Sequence, residues 1–210
     1  RGLKSWVEDA RSGNESKLRH ILRDYILILS HTGIRSGTEA MNLKWQHITI
    51  TKRDDKSYLT LSIKGKTKQW RSIQVRHRVA RFLQRIQERD TELSKMTFAE
   101  LIAAGVDKHV FRIGKNKDMA TALGRVFARM MEHCGLLVDK RTEQHRTLYS
   151  LRHSSIMFRL MFGRGVDTLT LARNARTSPE MIDRFYAAPL QGEMNVGELQ
   201  SKRRPRPWEY

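Results

Sequence analysis

The chain has 210 residues, 39% hydrophobic and 30% charged, so it is long enough to bury a core and has the composition of a globular protein. Its 40 lysines and arginines against 22 acidic residues leave a formal charge of +18, which indicates a polyanionic partner, with nucleic acid first. An anionic membrane surface is the alternative, but the apolar run 25–29 is far shorter than the ~20 residues of a spanning helix. The single cysteine, Cys134, excludes an internal disulfide, fits a reducing cytoplasm and is expected to be buried.

Hydrophobic periodicity predicts the order of the secondary-structure elements. Apolar residues at helical spacing predict a helix over 15–32 that Gly33 ends, and a second helix follows with Ser36 or Thr38 as its cap. Alternating residues predict strands over 45–51, 57–63 and 70–75. Helical patterns return at 76–90, 97–104, 118–133, 147–162, 166–174 and 178–187. These elements predict an α+β fold, mostly α-helical, with one small antiparallel three-stranded sheet.

Four segments carry residues suited to phosphate chemistry. HTGIRSGTEAMNLKW places Arg35 at the mouth of a helix, where its side chain and backbone N–H groups can meet an anion together. IKGKTKQWR places lysines in a turn between strands, YSLRHS contains Arg152, and IDRFYAA contains Tyr186. A tyrosine oxygen, with a pKa of about 10, attacks phosphate only when the phosphate charge is neutralised. Two guanidiniums and an ammonium supply that environment.

The order and the sequences of these segments resemble those of the tyrosine recombinase (phage integrase) family over about residues 20–187. The resemblance is strongest to its phage and genomic-island integrases. The resemblance implies the tyrosine recombinase catalytic fold over 1–187. It also implies cleavage and rejoining of DNA through a covalent 3′-phosphotyrosine, with no metal and no cofactor. The chain starts at Arg1 without an initiator Met. Because such proteins carry a separate N-terminal DNA-binding domain, we expect an isolated catalytic domain.

The same resemblance implies a role for each matching residue. Tyr186 is the nucleophile, and Arg35 and Arg152 hold the scissile phosphate. Glu39, one turn beyond Arg35, is expected to be a buttress or a helix-start acid rather than a catalyst.

The general acid that protonates the leaving 5′ oxygen is a lysine in the hairpin turn. Lys66, in a Gly-Lys dipeptide, matches it, and Lys64 and Lys68 are close alternatives. A nonspecific contact with the DNA backbone is the other interpretation of these lysines.

One departure from the family precedes the second arginine. Tyr149 stands where the His-x-x-Arg motif has its histidine, and a phenol is a weaker proton acceptor than imidazole near neutral pH. His153, beside Arg152, is the nearest imidazole, and a structural role is favoured for it over that of a base.

A second departure concerns the last phosphate ligand, a His or Trp nine residues before the nucleophile. Thr177 occupies that position here, and its hydroxyl can donate one neutral hydrogen bond. Arg176 and Asn174 are the alternatives if the start of the following helix is shifted.

The segment 188–210 is polar, contains KRRPRP and is expected to be an extended tail. The resemblance implies that it docks on a neighbouring subunit, and a basic tail that only adds DNA affinity is the alternative. The implied partner is double-stranded DNA, on which a homotetramer assembles. A monomer without DNA and accessory DNA-bending proteins are compatible with it. No membrane is involved, and the expected location is the cytoplasm, in association with the bacterial nucleoid.

Three other functions compete with this interpretation. A DNA-binding module that kept the fold and lost catalysis would explain the two departures. A type IB topoisomerase-like enzyme would share the chemistry, and an RNA-binding basic protein would explain the charge but not the four ordered segments. The eight histidines show no metal-ligand spacing, and the sequence contains no Walker-type glycine loop.

Overall fold

The computed structural model describes residues 2–53, 56–65, 69–112, 119–163 and 166–187. The chain divides into two compact units, Arg1–Ser155 and Ile156–Tyr210. The division falls within one helix, Ser150–Phe162. The first unit contains the sheet, and the described part of the second unit is helical.

The first unit begins with helices α1 (Gly2–Glu8), α2 (Gly13–Thr32) and α3 (Thr38–Met41). α2 starts at Ser12, whose hydroxyl accepts a hydrogen bond from the backbone N–H of Glu15 at 3.2 Å. It ends at Gly33, which adopts a left-handed conformation (φ 69°) and donates its N–H to the Leu29 carbonyl. The predicted helix and its glycine stop are both confirmed.

The start of α3 differs from the prediction. Its N-cap is Gly37 and no side chain caps it, so the predicted caps Ser36 and Thr38 are wrong. The side chain that organises this turn is instead the Glu39 carboxylate, which accepts the backbone N–H of Arg35. A carboxylate binds a backbone N–H more strongly than a hydroxyl does.

Three antiparallel strands form one sheet in the order β1 (Ile48–Arg53), β2 (Lys56–Lys64) and β3 (Trp70–Val75). In its register, Leu61 of β2 pairs with Ile48 and with Ile73. The buried face carries alternate residues of β2 and β3, namely Leu59, Leu61, Ile63, Ile73 and Val75. β1 begins later than predicted because Trp45–His47 forms a 3-10 turn.

The remaining helices of the first unit are α4 (Arg78–Glu88), α5 (Phe98–Ala104) and α6 (Ala120–His133). α4 packs on α2, where the fully buried Asp24 forms ion pairs with Arg85 and Arg89. Removing one partner of such a pair leaves an uncompensated buried charge, so the cluster fixes the two helices against each other.

One hydrophobic core underlies the sheet and these helices, and it also supports the turn after α2. Tyr25 is fully buried, and its ring packs edge-on against Phe111 with 4.8 Å between the centroids. Its hydroxyl donates a hydrogen bond to the Ser36 carbonyl. This bond ties the core to the residue that follows Arg35.

Helix α7 (Ser150–Phe162) leads into the second unit, which continues with α8 (Thr168–Ala175), α9 (Pro179–Ile182) and a π-helical turn, Asp183–Ala187. The Ser178 hydroxyl caps α9 and Pro179 occupies its first position, so the predicted helix start is confirmed. A small apolar cluster joins these helices and consists of Ile156, Leu171, Ala172, Ala175, Ile182 and Tyr186.

The predicted fold class, mostly helical with one small antiparallel three-stranded sheet, is confirmed. Cys134 is exposed, so its predicted burial is wrong. It lies at the C-cap of α6, just past the helix that buries Met130. Among the described residues, no helix is both long and apolar enough to cross a membrane.

Candidate active site

The turn Gly33–Arg35 joins α2 to α3 and carries the first predicted phosphate ligand. Gly33 has a φ of 69°, a conformation that side chains rarely adopt. A Cβ at this position would also lie 3.2 Å from the Oγ of Ser155 on α7. Both the backbone conformation and the close approach of α7 therefore favour glycine here.

Arg35 is bound by the carboxylate of Glu39. One carboxylate oxygen accepts the Arg35 backbone N–H at 2.8 Å, and the other accepts its guanidinium at 2.5 Å. Glu39 is 1% exposed, whereas the side chain of Arg35 is 40% exposed. The buried carboxylate orients Arg35 from the protein interior and leaves its guanidinium at the surface, where an anion can reach it.

The connection between β2 and β3 approaches the same carboxylate. A Cβ on Gly65 would lie 3.3 Å from Oε1 of Glu39, the oxygen that accepts the Arg35 guanidinium. The residue immediately before Lys66 therefore lies beside the pair of Arg35 and Glu39.

The three lysines of this hairpin differ in what the structure describes. Lys66, the predicted general acid, and the alternative Lys68 both lie outside the described residues. Lys64 is described, and its ammonium lies 5.6 Å from the centre of the Trp70 ring, within cation–π range.

Arg152 lies in the first turn of α7 and is 3% exposed. Its Nη1 donates a hydrogen bond to the Gly33 carbonyl at 2.5 Å. The second predicted phosphate ligand is thus attached to the turn that carries the first, although the two arginines lie far apart in the sequence.

Tyr149 and His153 form a pair at the start of α7. Tyr149 is 45% exposed, and its ring meets the His153 ring edge-on with 5.3 Å between the centroids. Partial desolvation lowers the pKa of His153, and the positive charge of Arg152 lowers it further. The imidazole is therefore neutral at neutral pH and can accept a proton.

Thr177 belongs to the second unit, directly after α8. The helix ends at Arg176, which is left-handed (φ 55°), and the backbone N–H of Thr177 donates to the Ala172 carbonyl at 2.9 Å. This bond closes the end of the helix. Asn174, one of the alternatives, lies within α8. Thr177 is thus held in a capping turn by its own backbone.

Tyr186 lies in the π-helical turn and is 6% exposed. It packs in the apolar cluster of the second unit, whereas its neighbour Phe185 is 50% exposed. π-helical turns are rare and often occur at functional sites. The side chain of Tyr186 is therefore largely removed from solvent.

Within the first unit, the structure brings Arg35, Glu39, Gly65 and Arg152 around one turn. Tyr149 and His153 form a separate pair, and Thr177 and Tyr186 lie in the second unit. Sequence reasoning identified Gly33 only as a helix stop and missed that its carbonyl binds Arg152. The available signal was its place in TGIR, directly before the first arginine. In the described part of the chain, no group of three or more His, Cys, Asp or Glu could hold a metal ion.

No family model matches the chain, and no curated protein sequence matches it. Solved structures do match. The XerH site-specific recombinase, bound to its difH substrate in a pre-cleavage complex, is 21% identical with a TM-score of 0.55 over 96% of this chain. The Tn1549 transposon integrase in complex with transposon right end DNA is 17% identical, with a TM-score of 0.52 over 94%. Its complex with circular intermediate DNA gives 14% identity and a TM-score of 0.50.

The fold is that of a tyrosine recombinase catalytic domain. The predicted fold is thereby confirmed. The chain spans 51% of the XerH chain and 62% of the Tn1549 integrase chains, so it corresponds to about half to three-fifths of those proteins.

Proposed function

We propose that this chain is the catalytic domain of an integrase-like site-specific recombinase, which cleaves and rejoins DNA through a 3′-phosphotyrosine on Tyr186. The observation that carries the proposal is the attachment of Arg152 to the turn of Arg35. Two arginines from distant parts of the sequence meet at one turn, in a fold shared with DNA-bound recombinases.

The two arginines suit a phosphodiester. A guanidinium has five N–H donors in a planar fork, so it can bind a protein oxygen and a phosphate at the same time. Arg152 binds the Gly33 carbonyl and Arg35 binds Glu39. These protein contacts fix the guanidiniums before DNA arrives, which is the preorganisation that stabilises a developing negative charge.

The reaction exchanges one phosphate ester for another. The Tyr186 oxygen forms a bond to phosphorus while the bond from phosphorus to the 5′ oxygen breaks, and Lys66 gives that oxygen a proton. The phenol proton passes to solvent water. Arg35 and Arg152 stabilise the pentacoordinate phosphate, and Thr177 donates a hydrogen bond to it. Rejoining is the reverse reaction with a different 5′ hydroxyl.

Tyr149 and His153 take the place of the missing family histidine in this proposal. Tyr149 donates a hydrogen bond to the phosphate, and the neutral imidazole of His153, packed against its ring, supports it. Their ring contact supports these roles because it places a phenol, which can donate a hydrogen bond, beside an imidazole, which can accept a proton.

We extend the proposal to the assembly. Double-stranded DNA is the substrate, a homotetramer forms on it, and accessory DNA-bending proteins are compatible with it. The tail 188–210, which lies outside the described residues, docks on a neighbouring protomer. Its removal should impair strand exchange and leave single cleavage by one protomer intact.

A catalytically impaired DNA-binding module is the second candidate. It is favoured by the two departures, Tyr149 and Thr177, and by the burial of the Tyr186 phenol. Such a module would bind DNA and form no covalent bond with it.

Covalent trapping separates the candidates. The chain is incubated with nicked duplexes whose sequence is randomised around the nick, because loss of the short fragment prevents rejoining. A recombinase should retain the strand labelled at its 5′ end on a denaturing gel, as a 3′-phosphotyrosine requires. Transfer of the 3′-labelled fragment instead would contradict the proposal, and so would the absence of any adduct. Relaxation of supercoiled plasmids of any sequence would identify a type IB topoisomerase-like enzyme.

A further inference from the structure

A groove of about 570 Å³ opens on the first unit at the base of the β2–β3 hairpin. Its lining includes Asn42, Gln46, His47, Lys64, Gly65 and Trp70. Apart from Lys64, which is an alternative to Lys66 as the general acid, none of these residues has a role in the chemistry proposed above. Gly65 borders both the groove and Glu39.

Trp70 is the unusual member of this lining. It is 51% exposed, on the sheet face opposite the buried Ile73 and Val75. Its ring meets His47 edge-on with 4.5 Å between the centroids, and the Lys64 ammonium lies 5.6 Å from its centre. These two contacts hold the ring in place while much of its surface remains open to a ligand.

The polar side chains beside Trp70 suit the edge of a nucleobase. Asn42 and Gln46 are exposed, and neither side-chain amide makes a hydrogen bond among the described residues. An amide offers both a donor and an acceptor, which is the pattern that base edges present. Partial burial lowers the pKa of His47, and the charge of Lys44 lowers it further, so its imidazole is neutral at neutral pH.

The groove lies next to the proposed phosphate clamp. Gly65 forms part of its lining and also approaches Oε1 of Glu39, the oxygen that binds Arg35. The groove and the pair of Arg35 and Glu39 therefore share Gly65 as a common border.

We propose that this groove binds an unpaired nucleobase next to the phosphate held by Arg35 and Arg152, with Trp70 as the stacking surface. The position along the strand rests on the proposed function, whereas the affinity of the groove for a base does not. The base is unpaired because a base inside a duplex already has its faces stacked. Stacking accepts any base, so Asn42 and Gln46 supply the discrimination.

The test titrates the full chain into a short thymidine oligonucleotide that carries a fluorescein label. The polarisation of the label measures binding, and the tryptophan emission reports contact between Trp70 and a base. Trp208, outside the described residues, is replaced by Phe in every variant, so that Trp70 is the exposed tryptophan beside the buried Trp6 and Trp45. The oligonucleotide should quench the emission, and Trp70→Leu should weaken its binding roughly tenfold, the loss expected for one stacked base. Tyr58→Leu, at the other end of β2 on the same face, should bind as the parent does.

An abasic oligonucleotide of the same length is the matched ligand. It carries the same phosphates, so it should bind the parent and Trp70→Leu equally and leave the emission of Trp70 unchanged. Equal binding of the thymidine oligonucleotide by the parent and Trp70→Leu would overturn the groove proposal, even if covalent trapping succeeds. Quenching without any covalent adduct would keep the groove as a base-binding site and remove the proposed function.

Discussion

Arg152 donates a hydrogen bond to the carbonyl oxygen of Gly33, across 119 residues of sequence. The same glycine is approached by Ser155, one turn further along α7. The turn before Arg35 is therefore fixed by α7, while Glu39 fixes Arg35 itself.

Replacing Arg152 with Lys should remove the planar guanidinium that binds the Gly33 turn and, in the proposed mechanism, the phosphate. An ammonium cannot reproduce the planar geometry, so we expect a loss of about 1–3 kcal/mol in the free energy of unfolding. Covalent adduct formation should fall at least tenfold. Urea denaturation and covalent trapping measure the two effects. Arg129→Lys, on the exposed face of α6, is the control and should change neither.

Gly65→Ala should reduce the rate of cleavage and change the free energy of unfolding little. The added Cβ would press on Glu39 Oε1 from 3.3 Å, and a displaced carboxylate would move the guanidinium of Arg35. The matched control is Gly124→Ala in α6, where a Cβ meets nothing within 4 Å. There we expect a gain of about 0.5–1 kcal/mol in helix stability. Equal cleavage by Gly65→Ala and the parent would show that the hairpin does not act through Glu39.

Stability should fall as the pH drops from 7.5 to 5.5. Desolvation lowers the pKa values of His20, His47, His109 and His153, and nearby cations lower them further. As the pH falls, the unfolded chain, with histidine pKa values of about 6.5, binds protons before the folded chain does. The contribution of these neutral imidazoles to stability is therefore complete above pH 6.5 and is lost as the pH falls through their lower pKa values in the folded state.

Urea midpoints at the two pH values measure this effect. Replacing the four histidines with Gln should flatten the dependence. Replacing the exposed His133 and His145 with Gln is the control, and most of the pH dependence should remain. A midpoint that rises on acidification would contradict the assignment of neutral, partly desolvated imidazoles.

Tyrosine nitration should report the burial of Tyr186, the proposed nucleophile. Tetranitromethane should modify Tyr149 and Tyr58, which are 45% and 40% exposed, and spare Tyr186 and Tyr25, which are 6% and 0% exposed. If cleavage requires the phenol to leave its apolar cluster, DNA should increase the nitration of Tyr186 relative to Tyr25. Peptide mass mapping gives both ratios. Fast nitration of Tyr186 without DNA would show that the cluster does not protect it.

Periodicity and turn chemistry were sufficient to predict most of the fold. The Gly33 stop and the Ser178 cap depend on local backbone rules, so they can be read from a few residues. The conformation at Trp45 could not be predicted in this way. Its residues alternate as in a strand, but they form a 3-10 turn that buries the ring. Cys134 follows the last turn of α6, and its exposure depends on what packs beside that helix end.

The candidate site was predictable only in part. The sequence motifs predict Arg35, Arg152 and Tyr186 as site residues, because each stands in a recognisable local context, and their roles stay predictions. The bond from Arg152 to Gly33 joins residues far apart in the sequence, so no local pattern contains it. Trp70 was also missed, although its alternation with the buried Ile73 and Val75 places it on the polar face of the sheet.

The most direct test of the central claim is covalent trapping with Tyr186→Phe beside Tyr149→Phe. Tyr186→Phe should form no adduct with the randomised nicked duplexes. It should still bind DNA within a few-fold of the parent, because backbone phosphates supply most of the affinity. Tyr149→Phe should form the adduct at a reduced rate. An undiminished adduct from Tyr186→Phe would contradict the account, because the nucleophile would then be another residue.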